Sequence, residues 1–160
     1  MSRRQGVLYH RLPTVNTRRG WKETESSNPP DCIYEGEIEN GLPHGIGTYT
    51  KTDGATYVGH FKNGLRHGKG KFSYPDGSIY EGVWKDDELN GLGTGTFPDG
   101  EKYVGEFKEG EKHGQGKFTY TDGGWYDGSW KVGQSWTGII YDKDGNISYE
   151  KVNGEIQYKQ

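Results

Sequence analysis

Three histidines, His44, His67 and His113, recur at one phase of this 160-residue chain, and recurring histidines invite a metal-site reading. The spacing argues against it. On hairpin strands, equivalent positions lie two strands apart, about 9.6 Å at roughly 4.8 Å per strand. Ligands of one metal ion must converge to within about 2.0–2.1 Å of it. The histidines therefore read as supports of turns. Asp142-Lys143-Asp144-Gly145-Asn146 hints at a calcium loop, but its glycine stands fourth where the sixth position is needed, so it too reads as a turn. Gly64-Leu65-Arg66-His67-Gly68-Lys69 is too short for a phosphate loop, and no Ser or Thr follows the lysine. Glu35, Glu37 and Glu39 face solvent by parity and make a poor acid/base pair. Cys32 is the only cysteine, so neither an intramolecular disulfide nor a Cys-based zinc site is expected. These residues predict no catalysis, no cofactor and no metal.

What positions them is a repeat. Tyr34, Tyr57, Tyr80, Tyr103 and Tyr126 lie 23 residues apart without a slip, and one more step lands on Tyr149. Apolar residues are 29% of the chain, against roughly 45–50% in average domains when glycine is counted. With 28 glycines and 22 aromatics, the chain has too little Leu, Ile and Val for a two-layer core. Its strict period and aromatic content argue against disorder. An array in which each unit packs on its neighbours remains.

Alternation of period two over the tyrosine segments predicts strands. Tyr57, Gly59 and Phe61 fall on one face, and Val58, His60 and Lys62 on the other. Tyr80, Gly82 and Trp84 follow the same parity, as do Tyr103, Gly105, Phe107 and Tyr126, Gly128, Trp130. Polar turns such as Asn40-Gly41 and Asn63-Gly64 follow, a strong hairpin signal. A second strand then places Gly68, Gly70, Phe72 and Tyr74 together, and Asp-Gly turns close each unit. Glycine on the aromatic face leaves room for a ring against backbone. The prediction is an all-β, elongated, single-layer antiparallel sheet of five to six 23-residue hairpins.

The ends depart from this pattern. Residues 1–30 carry six Arg/Lys against two Glu, whereas residues 31–160 carry 14 against 21. The leader, residues 1–30, is expected to be basic and flexible, with a docking arm as the alternative; its composition also allows an organellar presequence. No apolar run follows Met1-Ser2-Arg3-Arg4, so no secretory signal or membrane span is expected. After Trp130 the Gly-x-Gly pattern is missing and Asp144-Gly145 arrives one residue early. Residues 139–160 are expected to form a degenerate capping hairpin.

The pattern Tyr-x-Gly-x-aromatic-x-x-Gly-x-x-His-Gly-x-Gly-x-aromatic, closed by Asp-Gly, resembles the MORN (membrane occupation and recognition nexus) repeat. Tyr57 to Gly77 and Tyr103 to Gly123 match almost position for position. The third repeat has Asn90 for histidine, and the fifth departs after Trp130. The resemblance spans residues 31–138 and implies an interaction module that binds partner segments or self-associates, often at membranes or cytoskeletal structures, with phospholipid binding attributed to the family but not uniformly. The leading expectation is a non-enzymatic scaffold that receives a helix or extended peptide on an aromatic groove of Tyr57, Phe61, Tyr80, Trp84, Tyr103, Phe107, Tyr126 and Trp130. Against it stands the reading that these rings only fill the array's own core. The second expectation is peripheral binding to anionic phospholipid through Lys62, Arg66, Lys69 and Lys71, aided by Arg3, Arg4, Arg11, Arg18 and Arg19. Nucleic acid is not expected, because the array is acidic. The expected location is the cytoplasm, peripheral to a membrane or the cytoskeleton.

Overall fold

The computed structural model describes residues 3–10, 21–22 and 31–158. Among them there is no helix. Fourteen strands run in chain order: β1 Arg4–His10, β2 Trp21–Lys22, β3 Cys32–Glu39, β4 Leu42–Lys51, β5 Thr56–Lys62, β6 Leu65–Ser73 and β7 Ile79–Lys85; then β8 Glu88–Thr96, β9 Lys102–Lys108, β10 Glu111–Thr119, β11 Trp125–Lys131, β12 Gln134–Tyr141, β13 Ile147–Val152 and β14 Glu155–Gln157. Cα packing divides the chain into a first unit, Met1–Pro75 with Trp84–Asp87, and a second, Asp76–Val83 with Glu88–Gln160. In each unit every described pair is antiparallel, and from β3 onward it joins strands consecutive in sequence. The 23-residue hairpin predicted from the tyrosines is the building block.

Turn chemistry explains each hairpin. Asn40 and Gly41 both take positive φ, 54° and 73°, as do Asn63 and Gly64, 52° and 86°. This pairing of left-handed residues matches strand twist. Val132 adopts φ 48° at the equivalent corner between β11 and β12, an unusual conformation for a β-branched residue. The closing turns are held by aspartate. Asp53, Asp76, Asp99 and Asp122 each accept a backbone N–H two residues on, at 2.7–3.0 Å. Asp142 accepts from the N–H groups of Asp144 and Asn146, which closes a turn as the sequence predicts.

Each regular hairpin then bulges. Gly59 pairs with Gly70 and Phe61 with Arg66, so four steps on β6 face two on β5. The recurring histidines precede the bulge glycine: His44-Gly45, His67-Gly68 and His113-Gly114, each glycine with positive φ. In β11–β12, Gly128 pairs with Gly138 and Trp130 with Ser135, one residue fewer. The early Asp144-Gly145 is this deletion, and Val132-Gly133 is the turn whose Asn the sequence lacks.

Within the stretch 1–30, residues 4–10 form β1, paired along β3 with Leu8 opposite Tyr34 and Gly6 opposite Gly36. Leu8 is buried. Gly6-Val7-Leu8 thus acts as the second strand of a partial repeat, as Gly47-Thr48-Tyr49 does for Tyr57. The 23-residue spacing cannot reveal this, because residues 11–30 intervene. Arg11, Arg18 and Arg19 lie outside the described residues, so the rest of the leader expectation does too. At the other end, β13 and β14 form a hairpin whose Ile147, Tyr149, Ile156 and Tyr158 are exposed.

Candidate functional site

The tyrosine of each regular repeat is its structural pivot. Tyr57 is fully buried, lies across its own Gly59 and the paired Gly70, and donates its hydroxyl to the carbonyl of His60 at 3.1 Å. Tyr34, Tyr103 and Tyr126 donate likewise to the carbonyls of Glu37, Glu106 and Ser129, respectively, each at 2.8 Å. Burial pushes the phenols of Tyr34, Tyr57 and Tyr103 up to about 12. Glu37 and Glu106 add to this at Tyr34 and Tyr103.

Rings box these phenols edge to face. Tyr57 meets Phe61 at 5.1 Å and Trp84, from the following repeat, at 5.3 Å. Tyr103 meets Phe107 at 5.0 Å and Trp130 at 5.1 Å. The indole N–H groups of Trp84 and Trp130 donate to the carbonyls of Gly70 and Gly116 at 3.0 and 2.9 Å. The edge-to-face ring pairs are each worth about 0.5–1.5 kcal/mol beyond area burial. Tyr80 differs. Leu89 occupies the space beside Gly82, and the Tyr80 ring sits against Gly95, Phe97 and Phe107 instead.

Of the eight rings predicted to line a groove, Tyr57, Phe61, Trp84, Tyr103, Phe107, Tyr126 and Trp130 are at most 7% exposed, and Tyr80 is half-buried. Each unit packs its own share of these residues as core: Tyr57, Phe61 and Trp84 in the first, the others in the second.

One position the sequence reading missed plugs this core. It lies nine residues after each tyrosine: Pro43, Arg66, Leu89, Lys112 and Ser135. The Arg66 guanidinium carbon stands 4.7 Å from the Trp84 centroid and 5.0 Å from Phe72. Lys112 Nζ stands within 4.4–5.6 Å of Phe118, Trp130, Phe97 and Tyr103. Burial pushes the Lys112 ammonium down. Arg66 is also fastened to Asp87, donating from Nε to Oδ1 at 3.1 Å and from a terminal nitrogen to the carbonyl at 2.7 Å. Arg66, predicted to meet anionic surfaces, is thus engaged inside the fold. The next turn donates a backbone N–H to this position: Gly64 to Pro43, Asp87 to Arg66, Gly110 to Leu89, Gly133 to Lys112. The legible signal was the alternation of apolar and cationic residues at one phase.

Of the other basic residues, Arg3 lies 3.9 Å from Glu37, 4.0 Å from Glu39 and 3.2 Å from His44 Nε2. Arg4, Lys62, Lys69 and Lys71 are exposed. His44 Nδ1 is 3.3 Å from Glu39 and His67 Nδ1 is 3.6 Å from Asp86, neither with hydrogen-bond geometry. Among the described residues no group of three His, Cys, Asp or Glu could hold a metal ion. Cys32 is buried, with its Sγ 3.0 Å from the Tyr49 hydroxyl, and burial pushes the thiol up.

Serial antiparallel hairpins locked by a recurring tyrosine, glycine pair and ring define a β-hairpin repeat protein. The MORN-repeat profile matches residues 34–56, 57–79, 80–102 and 103–125, more than half of the chain, and the chain belongs to that family. A comparison with proteins of curated function gives no match. Among solved structures, the chain is similar to the TCP domain of SAS-4 (dCPAP) of Drosophila melanogaster, solved with a proline-rich motif of Ana2 (dSTIL). That similarity has a TM-score of 0.44 and 16% identity, and covers 82% of this chain and 81% of that one.

Proposed function

We propose that this chain is a non-enzymatic protein-interaction scaffold that presents the outward face of its hairpins to a partner segment. One observation carries the reading: the aromatic face is consumed by packing while aliphatic side chains stand exposed on the other. Leu92 is 70% exposed, Val104 49% and Val83 39%, although β-sheet outward positions ordinarily carry polar residues. Thr94 pairs with Val104 and Leu92 with Glu106, which puts Leu92 and Val104 on one face within diagonal reach. Membership of an interaction-repeat family agrees with this reading.

The test is a Leu92→Asp, Val104→Asp double variant used beside the unaltered chain in affinity capture from cells that make it. Both side chains are exposed, so the variant should melt at nearly the same temperature. A captured protein lost only with the variant supports the reading; a partner retained equally by both would sink it. The alternative, peripheral binding to anionic phospholipid, draws on the exposed Lys62, Lys69 and Lys71.

A further inference from the structure

The outward face of the first unit carries a groove of about 540 Å³ lined by Arg3, His44, His60, Lys62, His67 and Lys69, together with two glycines and Phe61. Among the described residues no carboxylate lines it. Its character comes from one exchange in the repeat. Three residues after their tyrosines, Glu37 and Glu106 each brace the bulge, accepting the N–H of Ile46 at 2.9 Å and of Gln115 at 3.0 Å. In the second repeat His60 stands at that place, its Nδ1 3.1 Å from the Lys69 carbonyl. The groove thus lacks the carboxylate, and the ring nitrogen holds the equivalent bulge residue by its carbonyl instead of its N–H.

Charge reinforces the contrast. Residues 31–75 carry five Lys/Arg and five Asp/Glu, whereas residues 76–160 carry nine and sixteen. The whole acidic excess of the array therefore lies beyond residue 75. At the groove rim Glu37 and Glu39 partly offset Arg3, Glu39 faces His44 and Asp86 faces His67. Lys62 and Lys69 remain exposed beside His60.

We infer that this groove docks an acidic, extended protein segment, a deepening that rests on the scaffold reading above. His44, His60 and His67 sit on or beside three successive strands, β4 to β6, spaced about 4.8 Å apart. Same-side carboxylates of an extended segment recur about every 6.8 Å, so several can meet different donors of the groove at once. A narrow segment senses charge only within a Debye length, about 8 Å at physiological salt. A membrane presents a broad anionic surface to a chain of net charge −3, which disfavours it as the occupant.

The experiment is fluorescence anisotropy of the full chain with a short labelled polyglutamate peptide, a matched Gly/Ser peptide, and phosphatidylcholine vesicles doped with phosphatidylserine. Saturable polyglutamate binding is expected, weakening with salt and falling about tenfold or more in Lys62→Glu, Lys69→Glu. His60→Glu restores the carboxylate that two other repeats carry, so it suits the fold and should weaken binding as well. Lys102→Glu, Lys108→Glu should leave binding unchanged. Equal weakening by both lysine pairs would show general attraction and overturn the inference. So would absent polyglutamate binding, or groove-dependent binding of vesicles but not of peptide. If polyglutamate fails while Leu92→Asp, Val104→Asp still loses a partner, only the groove assignment falls.

Discussion

The phenol of Tyr57 lies across Gly70 of the paired strand, and a Cβ built at Gly70 would overlap its ring and oxygen. Tyr34 stands in the same relation to Gly47, and Tyr103 to Gly116. Tyr57 is fully buried and tied to the His60 carbonyl, so it has no vacant space to enter. Gly70→Ala should therefore destabilise the chain by about 1–3 kcal/mol or more through overpacking. At Gly95 the nearest Tyr80 ring atom is 3.3 Å from such a Cβ, a contact a small shift relieves. Gly95→Ala should cost less, under about 1.5 kcal/mol. Chemical denaturation of both variants checks the ranking, and equal losses would contradict it.

The buried phenols make the fold sensitive to base. Tyr34, Tyr57 and Tyr103 are pushed up to about 12, chiefly by burial, against about 10 in an unfolded chain. Between these values the unfolded state binds fewer protons than the folded one, so stability falls as pH rises. Their contribution is complete below about pH 10 and lost as pH passes about 12. Denaturation midpoints should hold to about pH 10 and then drop, with tyrosinate absorbance appearing as the chain unfolds. Midpoints that stay level through about pH 11.5 would refute the assignment.

Arg66 and Lys112 occupy one repeat position but should respond oppositely to a neutral side chain. Arg66→Met keeps the rings covered yet gives up two hydrogen bonds to Asp87, and should lower stability by about 1–3 kcal/mol. Asp87 has no counterpart at Lys112, because Gly133 makes the equivalent backbone bond. Lys112→Met removes a desolvated ammonium and should change stability by less than about 1 kcal/mol, or raise it. Thermal melts of the two single variants decide; a larger loss at Lys112 would be the wrong order.

Val132 is a correctable strain. It holds φ 48° at an exposed corner where three other hairpins use Asn: Asn40, Asn63 and Asn153. The left-handed region costs most residues about 1–2 kcal/mol, and Asn tolerates it better. Val132→Asn should stabilise the chain by up to about 1 kcal/mol. An unchanged or lower melting temperature would show that the corner is not strained.

Most of the architecture could be read without coordinates. Period two assigned Tyr57, Gly59 and Phe61 to one face and Val58, His60 and Lys62 to the other, and burial follows that division. Asn-Gly and Asp-Gly located the turns. The third repeat was harder: Tyr80 shares its residue type with the other pivots, yet Leu89 beside Gly82 redirects its ring toward Phe97 and Phe107.

Local covalent geometry sets strand parity and turn type, so the sequence by itself determined the all-β class, the 23-residue hairpin and the side of the strand each residue faces. Whether that side is open depends on rings arriving from another repeat, as Trp84 reaches Tyr57 and Trp130 reaches Tyr103. Only the tertiary structure therefore decided that the aromatic residues are core, that Arg66 and Lys112 plug it, and that residues 4–10 complete the first repeat. It also decided that His60 opens a basic groove, because the missing carboxylate is visible only beside the bulge it would have braced.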